Sequence, residues 1–336
     1  MTSRRNLPSG AGPTRRSLLV GGVGVLGLGL SGCGLGTSGG FVPGGAVAGP
    51  IGEIDLSGAT IGVGSKNFTE QIILGKIAVI LLRSAGADAA DLTNIPGSSS
   101  ARQAMLEDQV QMQWEYTGTA WIAYLGETKP IPDEQKQYEA VRDRDLKENQ
   151  LVWLEPAPMN NTYGFAGPSE TIEKLGITTL SELSQVPKKD LTFCVESEFN
   201  NRNDGFVPML KTYGLAKGKD FPADNVKVLD TGAIYSATDN GTCTFGEVFT
   251  TDGRIKALDL TVLKDDKEFF PKYNVAPVLT EAVVDEYPAV VDLFGPVTKK
   301  LTDDVLITLN AQVDVDGKDP ADVAFAWLTD QGFITE

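Results

Sequence analysis

Residues 60–82 read TIGVGSKNFTEQIILGKIAVILL, and this stretch decides the fold class. The short apolar run at 60–63 predicts a buried strand. Asn67 and Glu70 stand three residues apart, the spacing of a capping box at the start of a helix. The residues that follow repeat at helical spacing and predict a helix of about 16 residues. They are Ile73, Ile77, Ile80 and Leu81.

The same order of strand, turn and helix recurs along the rest of the chain. Further strands are predicted at 151–154, 163–166, 191–195, 226–229 and 260–263. Helices are predicted at 100–108, 204–213, 281–294, 298–311 and 320–330. Such alternation is typical of an α/β architecture with mostly parallel sheets.

Composition excludes several function classes. The 336 residues carry a net charge of −16, so nucleic-acid binding is not expected without a basic face. The chain contains no histidine, which excludes Ser-His-Asp and Cys-His nucleophiles and every histidine-ligated metal site. We therefore expect neither a metal nor another cofactor.

The N-terminal segment is typical of an exported protein. Residues 1–32 contain Arg15 and Arg16 in a twin-arginine-like context, followed by a 13-residue apolar run at 18–30 that is too short for a membrane span. The run ends at Leu30-Ser31-Gly32-Cys33, which resembles a bacterial lipobox, so Cys33 is the predicted lipidation site. Residues 33–54 form a predicted flexible tether. The alternative is an ordinary secretory signal with an incidental cysteine.

Two cysteines remain in the body of the chain, Cys194 and Cys243. An even pair in an exported protein indicates a disulfide, and two free thiols are the alternative.

Three motifs suggest catalysis or metal binding, but each has a simpler interpretation. Ser65 beside Lys66 could form a dyad, yet Lys66 before a helix reads better as an anion-binding residue. Asp314-x-Asp316-Gly317 lacks the remaining features of a calcium loop and is interpreted as a surface turn. Glu196 and Glu198 share a face of a predicted strand and could be the paired acids of a glycosidase. Nothing in the sequence favours that role over a position on a solvated strand edge.

Three tyrosines stand in polar, turn-like surroundings: Tyr116, Tyr163 and Tyr273. Any one of them is most simply a half-buried structural residue. If their rings converge, they form a box for a cation that cannot donate hydrogen bonds.

Several motifs together resemble the substrate-binding proteins of glycine betaine/choline/carnitine ABC importers. They occur in family order and cover about residues 58–331. They are Ser65-Lys66-Asn67-Phe68-Thr69-Glu70-Gln71, Glu115-Tyr116-Thr117-Gly118-Thr119, Asn161-Thr162-Tyr163, Glu198-Phe199-x-x-Arg202-x-Asp204-Gly205, Thr251-Asp252-Gly253-Arg254-Ile255 and Asp265-Asp266-Lys267-x-Phe269-Phe270-Pro271-x-Tyr273.

The resemblance implies a two-lobed, class II periplasmic-binding-protein fold whose lobes are joined by two crossing strands. Residues 55–162 plus 275–336 would form lobe 1, and residues 163–274 would form lobe 2. Ligand would bind in the cleft between the lobes, which would close about the crossings.

The resemblance also implies which residues bind the ligand. The cage for a quaternary ammonium falls on Tyr116, Tyr163, Tyr273 and Phe249, where Phe249 replaces a usual tyrosine and keeps the ring face. The carboxylate side falls on Lys66, Thr119 and Arg202, and Asn161 lies near the cage. We expect a zwitterion to suit this arrangement, because choline would leave Arg202 without an anion.

The function that follows is capture of a quaternary ammonium solute outside the cytoplasm and its delivery to an ABC permease with its ATPase. The protein is expected to be a monomer and not an enzyme, held on the outer face of the membrane by lipid. The alternatives are a sensor that uses the same cleft without transport and an enzyme that has reused the fold. Neighbouring permease and ATPase genes would distinguish transport from sensing.

Overall fold

Two five-stranded sheets organise the part of the chain that the computed structural model describes, residues 42–336. The predicted signal peptide and Cys33 lie outside the described residues. The strands are β1 (Ala46–Val47), β2 (Thr60–Lys66), β3 (Asp88–Ile95), β4 (Met112–Tyr116), β5 (Leu151–Trp153), β6 (Tyr163–Pro168), β7 (Phe193–Val195), β8 (Val226–Val228), β9 (Phe245–Phe249), β10 (Leu260–Leu263), β11 (Val275–Thr280) and β12 (Ile334–Thr335).

Helices connect and cover these strands. They are α1 (Thr69–Ser84), α2 (Ser98–Leu106), α3 (Thr117–Thr119), α4 (Glu134–Asn149), α5 (Ser169–Leu175), α6 (Ser197–Asn201), α7 (Phe206–Thr212), α8 (Thr231–Asp239), α9 (Arg254–Ala257), α10 (Glu281–Glu286), α11 (Ala289–Thr298), α12 (Asp303–Asp314) and α13 (Pro320–Asp330). Short 3₁₀-helices lie at Gly49–Ile51, Leu180–Gln185 and Ala223–Asn225, and a π-helical turn lies at Ala120–Tyr124.

The first sheet has the strand order β3-β2-β4-β11-β5. Strand β2 lies between β3 and β4 and is buried along nearly its whole length, whereas the edge strand β3 alternates buried and exposed residues. Helix α1 packs on both strands and buries Ile73, Ile77 and Ile80. The strand and helix predicted from residues 60–82 therefore form the core of this half of the molecule.

The second sheet has the order β10-β6-β9-β7-β8 and is built from residues 163–263. The chain passes from the first sheet to the second after β5 and returns before β11. The two passing segments lie side by side, because the N–H of Ala157 donates to the carbonyl of Val275 at 2.7 Å and the N–H of Asn161 to that of Tyr273 at 3.3 Å.

The predicted α/β class is confirmed, but the prediction of mostly parallel sheets is wrong. Strand β11 runs antiparallel to both β4 and β5, and β6 runs antiparallel to both β9 and β10. Each reversal lies where the chain changes sheets: β11 starts opposite Tyr116, the last residue of β4, and β6 starts opposite Phe249, the last residue of β9. A strand that starts beside the last residue of its neighbour must run antiparallel to that neighbour.

Two helix predictions need correction. The helix predicted at 281–294 is split into α10 and α11, because Pro288 lacks the N–H and restricts the backbone of Tyr287 before it. The helix predicted at 298–311 starts instead at Asp303, where the hydroxyl of Thr302 accepts a hydrogen bond from the N–H of Val305 at 3.3 Å.

Cys194 in β7 and Cys243 before β9 form a disulfide in this structure, and both are fully buried in the second sheet's half. Within residues 42–336, no helix is long and apolar enough to span a bilayer.

Candidate functional site

A cleft of about 550 Å³ is lined by residues from the elements of both sheets. Its walls contain seven of the eight ligand-binding residues predicted from the sequence. These are Lys66, Tyr116, Thr119, Asn161, Tyr163, Phe249 and Tyr273.

Strand register brings the predicted aromatic residues together. Tyr163 and Phe249 are direct partners in the β6–β9 pairing. Tyr116 is paired with Val275 at the start of β11, which places Tyr273 beside it in the same crossing region. Aromatic residues up to 157 positions apart therefore meet, because β4 and β9 end at the cleft, β6 starts there, and Tyr273 lies two residues before the start of β11.

The aromatic rings form a continuous wall. The ring centroids of Tyr163 and Tyr273 are 5.5 Å apart and perpendicular, and those of Tyr163 and Phe249 are also 5.5 Å apart. Phe68 continues the wall, with centroid distances of 5.1 Å to Phe249 and 6.1 Å to Tyr116. Such a surface of ring faces suits a cation that cannot donate hydrogen bonds.

Phe68 is a fifth aromatic residue of the wall, beyond the four predicted from the sequence. It is half-buried, lines the cleft and is the residue immediately before α1. The signal was available, because Phe68 stands in the same kind of polar turn as the three predicted tyrosines. Its position between Asn67 and Glu70 instead indicates a helix start.

Glu70 was also assigned the wrong role. The predicted capping box is absent, because Asn67 Oδ1 accepts instead from the N–H of Gly97 at 3.3 Å. The Glu70 carboxylate points inward and accepts four hydrogen bonds. Its donors are Tyr116 Oη at 2.7 Å, Asn161 Nδ2 at 2.8 Å, Thr251 Oγ1 at 2.5 Å and Asn310 Nδ2 at 3.1 Å.

Burial raises the pKa of Glu70, and the four hydrogen bonds oppose that rise. Glu70 is hydrogen-bonded to residues from both halves of the molecule. Its hydrogen bond with Tyr116 Oη fixes the position of the Tyr116 ring. The side-chain amide of Asn161 donates a hydrogen bond to the same carboxylate, and Asn161 also lines the cleft. Neither contact was foreseen from the sequence.

Lys66, predicted to hold a carboxylate, already has an internal partner. Its Nζ lies 2.7 Å from Glu115 Oε1, and both side chains are almost completely buried. The same Nζ lies 4.9 Å from the centre of the Tyr116 ring. The buried Glu115 carboxylate therefore compensates the positive charge of Lys66 next to the aromatic wall. Thr119 is buried nearby and lines the cleft.

Arg202 is the predicted binding residue that the structure does not bring to the cleft wall. Its Nε and Nη2 donate to the two carboxylate oxygens of Asp204, each at 2.7 Å, and its Nη1 donates to Glu198 at 3.1 Å. The guanidinium carbon lies 5.6 Å from the Tyr163 ring centre. Asp204 and Glu198 thus provide Arg202 with negatively charged partners. The expectation that bound choline would leave Arg202 without an anion is wrong. A contact between Arg202 and a ligand carboxylate stays a prediction.

Asp204 links Arg202 to the cage, because Tyr273 Oη donates to Asp204 Oδ2 at 2.6 Å.

Glu196 and Glu198, predicted to share a strand face, instead lie at the start of α6, where Glu196 caps the helix by accepting from the N–H of Phe199 at 3.2 Å. Within residues 42–336, no group of three or more acidic or cysteine side chains is arranged to hold a metal ion.

The chain is similar in sequence to known proteins. Residues 59–330 match a family described as the substrate-binding domain of ABC-type glycine betaine transport systems. A glycine-betaine-binding protein of Pseudomonas aeruginosa is 37% identical over 285 residues, which cover 82% of this chain and 89% of that protein. A glycine betaine-binding protein of Escherichia coli is 32% identical over 279 residues, covering 81% of this chain and 90% of that protein.

A solved structure of a glycine betaine/carnitine/choline ABC transporter protein superimposes with a TM-score of 0.66 at 28% identity, covering 81% of this chain and 98% of that one. The resemblance recognised in the sequence motifs and the predicted class II fold are both confirmed by these matches.

Proposed function

Because the chain belongs to the family of substrate-binding domains of ABC-type glycine betaine transport systems, we propose that its cleft captures a quaternary ammonium solute for import. The ligand class comprises glycine betaine, carnitine, proline betaine and choline. The family is one of transport proteins, and we propose that this chain binds its ligand without turning it over.

The wall of five aromatic rings is the observation that carries this proposal. A trimethylammonium group has no N–H, so neither hydrogen bonds nor a close ion pair can hold it, whereas ring faces attract it with about 0.5–2 kcal/mol each. Phe68, Tyr116, Tyr163, Phe249 and Tyr273 all line one cleft. The Phe249 ring keeps this attraction without the hydroxyl of a tyrosine.

The division into lobes and the membrane attachment belong to the same proposal. One sheet draws its strands from 60–153 and 275–280, and the other from 163–263, which supports lobes of 55–162 plus 275–336 and of 163–274. Lipid on Cys33 would hold a monomer on the outer membrane face through a tether shorter than the predicted 33–54, because β1 pairs with β12 and Ile51 is fully buried in the core. From there it would deliver ligand to an ABC permease and its ATPase.

Calorimetric titration tests the ligand class. Each of the four compounds is added to the protein, and glycine serves as a matched control because it keeps the carboxylate but has N–H groups in place of methyls. We expect saturable binding of at least one quaternary compound and none of glycine. The absence of heat from all four at millimolar concentration would contradict the proposal, and an unchanged ligand spectrum by NMR after incubation checks the absence of turnover.

Membrane attachment is tested separately in cells. Wild-type protein should sediment with membranes, and the Cys33→Ala variant should be released in soluble form or remain unprocessed. Equal membrane association of both proteins would contradict lipidation at Cys33.

A further inference from the structure

Glu70 is a buried acid that lies directly behind the aromatic wall of the cleft. The residue is 2% exposed, and its Oε1 accepts from the hydroxyl of Tyr116, one of the rings of the wall, at 2.7 Å. Glu70 lines a second cavity of about 220 Å³ and does not line the cleft itself. Phe68 and Phe249 line both spaces, so these rings lie between the ligand cleft and the region of Glu70.

The hydrogen bonds of Glu70 suit a negatively charged carboxylate. An ionised carboxylate offers about four acceptor positions, and four groups donate to this one. Two of the donors are hydroxyls and two are side-chain amide nitrogens, which can only donate. None of the four carries a charge. They are Tyr116, Asn161, Thr251 and Asn310.

The cationic side chains near Glu70 are paired with other acids. Lys66 Nζ lies 2.7 Å from Glu115 Oε1, and Arg254 Nη2 lies 2.5 Å from Asp252 Oδ2. In the part of the chain that the structure describes, no lysine or arginine forms an ion pair with Glu70. The negative charge of Glu70 is therefore stabilised by hydrogen bonds and is not neutralised by a cation of the protein.

Tyr116 connects this charge to the cleft. Burial and the neighbouring Glu70 charge raise the pKa of Tyr116, so its hydroxyl keeps the proton that it donates. A hydrogen bond to a carboxylate polarises the phenol, and the negative ring face is the part that attracts a cation. Lys66 Nζ lies 4.9 Å from the centre of the same ring and acts in the opposite direction. Glu70 therefore strengthens the attraction of a ring that Lys66 weakens.

Asn161 is a second connection between Glu70 and the cleft. Its Nδ2 donates to Glu70 Oε1 at 2.8 Å, and its Oδ1 is buried without a hydrogen-bond partner. Asn161 also lines the cleft. An amide oxygen without a donor suits the methyl groups of a quaternary ammonium, because these groups carry part of the positive charge and form only weak C–H contacts with oxygen.

We propose that Glu70 is a positioning residue that supplies the negative charge behind the cage for the quaternary ammonium, and that it acts through Tyr116 and Asn161. The inference rests on the proposed function and deepens it. Aromatic rings alone also accept a neutral tert-butyl group, which has the same shape as a trimethylammonium group. The charge of Glu70 makes the cleft prefer the cation over this neutral group.

Carbon isosteres of the ligands separate charge from shape in the experiment. The compound 3,3-dimethylbutan-1-ol has the shape of choline, and 3,3-dimethylbutanoate has the shape of glycine betaine, with carbon in place of the charged nitrogen. Calorimetry measures the quaternary ligands, and ligand-observed NMR measures the isosteres. The quantity compared is the preference, which is the dissociation constant of the isostere divided by that of its quaternary counterpart.

Three variants are compared with the wild-type protein. Glu70→Gln keeps the length of the side chain and removes the charge, so the preference should fall about tenfold, which equals about 1.4 kcal/mol. Glu70→Asp keeps the charge and should keep most of the preference. Glu170→Gln is the matched control, because Glu170 is an exposed acid of α5 that pairs with Lys174, and it should leave the preference unchanged.

Equal losses of affinity for a quaternary ligand and its isostere in Glu70→Gln would overturn the inference, because Glu70 would then act only as a contact to Thr251 in the other half. Unchanged affinities, or the same loss of preference in Glu70→Asp, would also overturn it. Thermal unfolding checks each variant. If Glu70→Gln does not fold, Tyr116→Phe takes its place, because it keeps the ring and Glu70 but removes the hydrogen bond between them.

The preference should fall in Tyr116→Phe as well, and an unchanged preference there would overturn the inference. Failure of the proposed function gives a different result. In that case the wild-type protein binds none of the quaternary compounds, whereas failure of the inference leaves their binding to the wild-type protein intact.

Discussion

Glu247 lies inside the second sheet in β9, where its Oε2 accepts a hydrogen bond from the backbone N–H of Glu196 at 2.7 Å. Burial raises the pKa of Glu247 from 4.5 to about 8, because the surrounding protein solvates the charged carboxylate poorly, and the hydrogen bond offsets only part of this effect. The folded protein therefore holds a proton on Glu247 that the unfolded chain releases at lower pH.

This difference predicts a pH dependence of stability. Between about pH 5 and pH 8 the folded state binds one more proton at Glu247 than the unfolded state, so the free energy of unfolding should fall as pH rises. Glu247→Gln removes the titrating group and should flatten that part of the profile. Urea titrations of both proteins at pH 5 and pH 8 measure the difference. Parallel profiles would show that Glu247 is not protonated in the folded protein.

Tyr163 is central to the aromatic wall, with its ring close to those of Phe249 and Tyr273. Replacing it with leucine keeps an apolar side chain but removes the ring face, so affinity for every quaternary ammonium ligand should fall by about 1–2 kcal/mol. Tyr163→Phe is the control and should bind nearly as wild type. Titration of choline measures both. Equal losses in the two variants would mean that the hydroxyl, not the ring, is the important group.

The predicted and the missed residues of the site differ in the kind of information that identifies them. Tyr116, Tyr163 and Tyr273 stand in recognisable local motifs, and strand pairing then brings them together. The role of Glu70 depends on donors as distant as Asn310, 240 positions along the chain. No local pattern encodes such a contact, so the sequence suggested a helix cap instead.

At the scale of secondary structure, apolar runs located six of the ten strands of the two sheets, because buried backbone requires apolar neighbours on both sheet faces, whereas β3, β4, β9 and β11 were not predicted. All six predicted strands are present in the structure, at the predicted places to within a few residues. Strand direction was not predictable in the same way. The direction of β6 and β11 follows from the route of the chain between the two sheets, which hydrophobic patterning does not record.

The disulfide acts at this scale, since it joins β7 to the segment before β9 across 49 residues of sequence. Replacing both Cys194 and Cys243 with alanine should lower the free energy of unfolding by about 4 kcal/mol in the chain-entropy model. Urea unfolding measures the loss, and reduction of the wild-type protein should reproduce it. Two alkylatable thiols in native, unreduced protein would contradict the pairing.

At the scale of the whole molecule, the two halves also meet away from the crossing segments. Gly253, in the turn after β9, approaches α12 so closely that a Cβ there would lie 2.5 Å from Ala311 Cβ and 2.8 Å from its backbone nitrogen. Beside it, Arg254 Nη2 lies 3.4 Å from Asp314 Oδ2 at the end of the same helix. Glycine is required here for close approach and not for backbone conformation, since its φ is −65°.

Gly253→Ala should therefore separate the turn from α12 and destabilise this contact between the halves by about 1–3 kcal/mol, the usual cost of overpacking, so ligand affinity should fall. Gly295→Ala in α11 is the control, because a Cβ at that position meets nothing within 4 Å. Ligand titration and the radius of gyration from small-angle scattering measure the effect. Unchanged affinity and radius in Gly253→Ala would show that this contact does not hold the halves together.

The order of strands in the first sheet also determines when each half can be completed during synthesis. Strand β11 lies between β4 and β5 and is the strand that pairs with β5, so this sheet cannot be assembled before residue 280 has left the ribosome. The second sheet is contiguous in sequence and is complete once residue 263 has emerged. The half encoded in the middle of the chain can thus form first, while the segment made earliest must wait for the C-terminal part to arrive.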